Sequence, residues 1–176
     1  MSNTEFTLAL EFDVNQITRS LQFKFISNDG SPDIPTGPLA GTAHFNEGNQ
    51  IGISVTATGR SQDNISFRVT DCTLVSLGTA NLGKFFLSPF SEEKATEAIT
   101  QWSPTDNITT PQDQENQRTR LISYSEDTLL VAAPTGQWEI SGYLSVAIEI
   151  DGTVYHRVFY FDPEGTTGNG GGLNFP

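Results

Sequence analysis

The stretch QWEISGYLSVAIEI-DG-TVYHRVFYF, residues 137–161, decides the fold. Apolar residues recur at every second position on both sides of Asp151-Gly152, which is the period of a strand with one buried face. Asp-Gly between two such runs predicts a type I′ turn, because both central residues must take positive φ. A two-residue loop then fixes the register. Ile150 faces Thr153, Ile148 faces Tyr155, Val146 faces Arg157, Leu144 faces Phe159 and Gly142 faces Phe161. Trp138, Ile140, Leu144, Val146, Ile148, Tyr155, Phe159 and Phe161 share one face, and that face is the expected core. Gly142 leaves room for the Phe161 ring. Arg157 is the misfit, a cation on the apolar face. Two readings are open: a side chain that snorkels or is turned outward by a bulge, or a partly buried charge that holds a carboxylate.

The same period runs upstream. Phe6, Leu8, Leu10 and Phe12 alternate with polar residues, as do Leu21, Phe23 and Phe25. Ile51, Ile53, Val55 and Ala57 form another such run, followed by Ile65, Phe67 and Val69. Cys72 to Leu77 reads as a further strand or a continuation past a bulge. Shorter strands are expected at 39–46, 84–87, 121–124 and 129–133. One helix is expected, Ser91 to Trp102. Ser91 suits an N-cap, and Glu92 and Glu93 suit the positive helix end. Ala95, Ala98, Ile99 and Trp102 line one helical face. The prediction is an all-β protein, an antiparallel two-sheet β-sandwich of about eight to ten strands, with at most one short helix near 91–102. Residues 1–165 form the single domain and 166–176 a Gly-rich tail. Pro163 is expected to end the last strand.

Length and charge bound the function. A chain of 176 residues is one domain. It carries 9 Lys+Arg against 21 Asp+Glu, a net charge of −12. Such a surface repels phosphate backbones and anionic membranes, so neither nucleic acid nor a membrane is an expected partner. The longest apolar run, Leu129 to Ala133, is strand-sized and too short to span a bilayer. The first residues lack the basic and apolar regions of a secretory signal, so a cytoplasmic location is expected. Cys72 is the only cysteine. It can form no internal disulfide and is expected to be a small buried apolar residue. The acids cluster in turns and loops. That leaves the uncharged Thr/Ser/Gln strand faces as surfaces open to self-association.

Motifs for chemistry are few. His44 and His156 are the two histidines, and nothing in their spacing suggests a metal site. No Gly-x-Ser-x-Gly elbow occurs, and Gly168 to Gly172 has no helix after it. Asp29-Gly30-Ser31-Pro32-Asp33 spaces oxygens as calcium loops do, yet the twelfth position holds Ala40 rather than a glutamate. No catalytic residue, metal or cofactor is expected, and the chain does not read as an enzyme. Two long loops, 28–38 and 103–118, are the candidate site for a small molecule or glycan. Trp102 offers a stacking platform there, and Asp29 and Asp33 offer oxygen ligands.

The layout carries a family resemblance. A strand pair, Ile51 to Thr58 and Ile65 to Asp71, precedes a long Pro/Thr-rich stretch. The chain closes with Gln137 to Ile150, Asp151-Gly152, and Val158-Phe159-Tyr160-Phe161-Asp162-Pro163. This resembles the AidA/PixA-type bacterial inclusion-body proteins, although that family usually carries tryptophans where Tyr160 and Phe161 stand. The resemblance implies a cytoplasmic β-sandwich that accumulates or self-associates, with no catalytic residues to transfer. Met1 is the only methionine, which suits a stockpiled protein.

Overall fold

The structure, a computed structural model, describes residues 5–28, 43–78, 90, 99–101, 108–109, 117–125, 128–132, 136–161 and 164–167. Twelve strands are formed among the described residues: β1 (Phe6–Asp13), β2 (Gln22–Ser27), β3 (Ala43–Phe45), β4 (Gln50–Arg60), β5 (Ile65–Gly78), β6 (Ile99–Gln101), β7 (Ile108–Thr109), β8 (Arg118–Tyr124), β9 (Leu129–Leu130), β10 (Gly136–Ile150), β11 (Thr153–Phe161) and β12 (Glu164–Thr167). They make two six-stranded sheets. Sheet A has the order β2-β1-β4-β8-β7, with β9 also on β4. Sheet B has the order β3-β12-β10-β5-β6, with β11 also on β10. No helix occurs among the described residues, and the all-β two-sheet architecture is the one the alternation predicts.

The C-terminal hairpin has the expected register at every position from Ile150↔Thr153 to Gly142↔Phe161. Asp151 (φ 49°) and Gly152 (φ 80°) supply the positive dihedrals of its turn. A Cβ on Gly142 would lie 2.6 Å from the Thr73 carbonyl oxygen and 2.9 Å from Phe161 Cζ, so only glycine fits there. Leu144, Val146, Ile148, Phe159 and Phe161 are buried as expected. Tyr155 is not. It lies on the core face but is 47% exposed, because the core ends before the hairpin tip.

Other details depart from the sequence reading. Two pairings run parallel, β1 with β4 and β12 with β3, so both sheets are mixed rather than purely antiparallel. Within the expected helix, Ile99–Gln101 is a strand paired with Thr73–Val75; residues 91–98 and Trp102 lie outside the described residues. Ile99 and Thr100 are β-branched, and the β5 ladder offers their backbone groups partners. Pairing also does not end at Pro163. Gly142 faces Phe161 and, three residues on in each strand, Glu139 faces Glu164. β12 therefore continues the β11 register, because a proline removes one ladder donor without altering register. The last strand reaches Thr167, past the expected boundary at 165.

β5 contains the bulge that Cys72 to Leu77 suggested. Ser145 faces Asp71 and Val146 faces Val69, leaving Thr70 unpaired. One extra residue reverses the phase of the alternation. Ile65, Phe67 and Val69 are buried before it, and Cys72, Leu74 and Ser76 after it.

Aromatic side chains join the two sheets. Phe12 of sheet A stacks on Phe159 of sheet B at 4.9 Å and meets Phe67 edge-on at 5.7 Å. Phe6 and Phe25 of sheet A meet Phe45 of sheet B edge-on at 4.8 and 5.2 Å. Each such pair adds about 0.5–1.5 kcal/mol beyond the area it buries.

Candidate functional site

Strand β11 is one of several strands that have an unpaired edge among the described residues, and it carries the most exposed large hydrophobic side chains. One side of it is fully paired with β10. On the other side the Tyr160 N–H donates to the Arg19 carbonyl (2.8 Å), and the Tyr160 carbonyl accepts from the Leu21 N–H (3.1 Å). The backbone groups of Tyr160 therefore point away from β10. In an antiparallel ladder alternate residues do the same, so those of Val158, His156 and Val154 also point outward. Among the described residues these three have no backbone partner. The segment 16–21 covers the edge near Tyr160 and stops there.

Sequence dictates that this edge is apolar as well as open. Eight large hydrophobic side chains are exposed among the described residues, and β11 carries four of them: Val154 (55%), Tyr155, Val158 and Tyr160. Val154, Val158 and Tyr160 share the outer face with the exposed His156. The usual protections of an edge strand are a lysine, a proline or a bulge. From Thr153 to Phe161 there is no lysine or proline, and the β10–β11 register has no shift. Alternation alone could not find this site. It separates the two faces of β11 but does not show that one of its edges stays unpaired.

Arg157 sits beside this edge and is half-buried. It lies on the apolar face opposite Val146, and its Nη1 donates to the Gln16 carbonyl at 2.9 Å. The atom it holds is a backbone oxygen. Among the described residues no carboxylate is in ion-pair contact with it. The contact ties segment 16–21 to β11, so the cation has a structural task.

The other candidates of the sequence reading are not brought together. Asp29, Asp33 and Trp102 lie outside the described residues. So do most of loops 28–38 and 103–118, although Ile108–Thr109 within the second loop forms β7 on β8. No group of three or more His, Cys, Asp or Glu that could hold a metal occurs among the described residues. Cys72 is buried, and burial together with the neighbouring Asp71 pushes its thiol up to about 12. A thiol held neutral in this way is a poor nucleophile. Among the described residues no helix is long and apolar enough to cross a membrane. The Thr/Ser faces expected to be open are partly closed: Ser54, Thr56 and Thr58 on β4 are all buried.

The sequence matches no protein-family model, and it has no significant similarity to a curated protein.

Proposed function

We propose that this is a non-catalytic, self-associating structural protein and that copies join through the open edge of β11. The observation that carries the reading is that, among the described residues, one nine-residue strand combines an unpaired edge with half of the exposed large hydrophobics. Monomers rarely leave such an edge uncovered. A second copy satisfies it by symmetry, because two identical antiparallel edges are self-complementary about a twofold axis. Centring the axis on His156 uses all three outward-facing residues. Val154 then lies opposite Val158 of the partner subunit, and six backbone groups on each copy gain partners. The resemblance to inclusion-body proteins, carried by this same hairpin, supports an accumulating cytoplasmic protein.

The test is sedimentation velocity over a concentration series. The wild-type chain is expected to shift from monomer to dimer or larger species as concentration rises. His156→Pro removes one outward-facing N–H and leaves the β10 ladder intact, as a proline on an edge strand can. It is expected to stay monomeric. A wild-type chain that stays monomeric at all concentrations overturns the proposal.

A further inference from the structure

Cations are scarce in this chain, and four of the nine lie along one trough on the outer face of sheet A. Three depressions of about 390, 500 and 460 Å³ meet there. The first two share Glu11, Lys24 and Arg120, and the last two share Asp13 and Arg118. Arg60 lines the far end. Among the described residues, the acids that line it are Glu11 and Asp13. The trough thus has a cation excess in a molecule of net charge −12. Field lines from fixed cations in a lined cleft favour an anionic ligand.

The trough follows from side-chain size. The two central strands present small residues outward, Ala9 on β1 and Ser54 and Thr56 on β4. The flanking strands present long ones, Lys24 on β2 and Arg118, Arg120 and Tyr124 on β8. The walls are therefore high and the floor low. From Ser54 to Arg60 the floor runs about 20 Å, at a strand rise of about 3.3 Å per residue.

The floor is polar, and part of it has no partner. Ser54 and Thr56 are each 6% exposed, and among the described residues their hydroxyls make no hydrogen bond. Thr58, one step along the same strand, is different. Its hydroxyl donates to the Phe12 carbonyl (3.3 Å) and accepts from Arg118 Nη2 (2.9 Å). Buried hydroxyls are normally satisfied, so two open ones on the floor of a trough point to a ligand with hydroxyl groups. The cations divide in the same way. Arg118 pairs with Asp13, and Arg120 lies 4.0 Å from Glu11. Among the described residues Lys24 and Arg60 are in no ion pair.

We propose that this trough binds a short, carboxylate-bearing oligosaccharide. Lys24 and Arg60 meet carboxylates, the Ser54 and Thr56 hydroxyls exchange hydrogen bonds with sugar hydroxyls, and Tyr124 packs against the apolar face of a ring at one end. An acidic peptide fits less well, because strand addition needs a sheet edge and this is a face whose backbone groups are already paired. A long nucleic acid fits less well, because the chain as a whole carries a net charge of −12.

Titration calorimetry of the full chain with tetragalacturonate, its uncharged methyl ester and a hexaglutamate peptide tests the assignment. Tetragalacturonate is expected to bind, and to bind about tenfold more tightly than either control, as expected for hydrogen bonds to a charged partner. Lys24→Ala is expected to weaken it about tenfold, and Thr56→Val about threefold to tenfold, with melting temperatures close to wild type. Lys24 is exposed, so its variant reports on the site even where Thr56→Val does not fold. The assignment is overturned by no binding of tetragalacturonate, by equal binding of the ester or of hexaglutamate, or by unchanged affinity in Lys24→Ala.

Discussion

The two outer surfaces of this sandwich start from the same alternating pattern and end with opposite chemistry. On sheet A the outward positions Ala9, Ser54, Thr56 and Thr58 of the central strands are small, and they lie between strands bearing long cationic side chains. On sheet B the outward positions of β11 are Val154, His156, Val158 and Tyr160, at an edge that, among the described residues, is paired only by segment 16–21. One surface is concave, polar and interior to its sheet. The other is apolar and at a margin. Alternation separates inside from outside. Position within the sheet then decides whether an outward residue lines a site or forms a contact. The two surfaces are expected to act independently, because they lie on different sheets.

The largest effect is expected where the two surfaces share a foundation. Phe12 is 1% exposed and touches Phe67 and Phe159 of the opposite sheet. Phe12→Ala is expected to cost about 3–5 kcal/mol in urea unfolding and to weaken both functions together. Gly142→Ala acts on sheet B alone, because the new methyl meets the Thr73 carbonyl oxygen and Phe161. It is expected to cost about 1–3 kcal/mol and to perturb the β10–β11 pairing, read from the amide shifts of that hairpin. Val154→Lys places a charge on the apolar edge. Its expected outcome is weaker association in sedimentation with unchanged binding of tetragalacturonate, whereas Lys24→Ala is expected to give the reverse.

At neutral pH, where it is not yet felt, the smallest effect is a pH dependence from the core. Burial, then Asp71, raise the Cys72 thiol from an ordinary value of 9.0 to about 12. The unfolded chain ionises first, so the thiolate favours unfolding. Stability from this group is full below pH 9.0 and is lost as pH rises from there toward about 12. Urea midpoints of wild type and Cys72→Ala are expected to diverge in that window, with the wild type losing more.

The hairpin was legible in the sequence because its determinants are local. Asp151-Gly152 sets the turn and the alternation sets the face, so every pairing from Ile150↔Thr153 to Gly142↔Phe161 could be written down. Tyr155 shows the limit. Alternation names its face but does not show where the opposing sheet stops. Ile99–Gln101 shows another, since four apolar positions at helical spacing did not outweigh a β5 ladder that lies 24 to 26 residues away in sequence at Val75↔Ile99 and Leu74↔Thr100. The trough was illegible for the same reason on a larger scale. Its cations are spread from Lys24 to Arg120, and they converge through the β1–β2 pairing, the parallel β1–β4 pairing and the β4–β8 pairing. Parallel pairing leaves no turn signature from which it can be read. The partner of Arg157 is a main-chain oxygen of Gln16, which no side-chain pattern encodes.

Sedimentation velocity of the wild type and His156→Pro, run side by side over one concentration series, tests the central claim most directly. Folding of both is checked by circular dichroism. The mean mass of the wild type is expected to rise with concentration, and folded His156→Pro is expected to remain a monomer. A wild type that stays monomeric, or a folded His156→Pro that associates as strongly as the wild type, contradicts it.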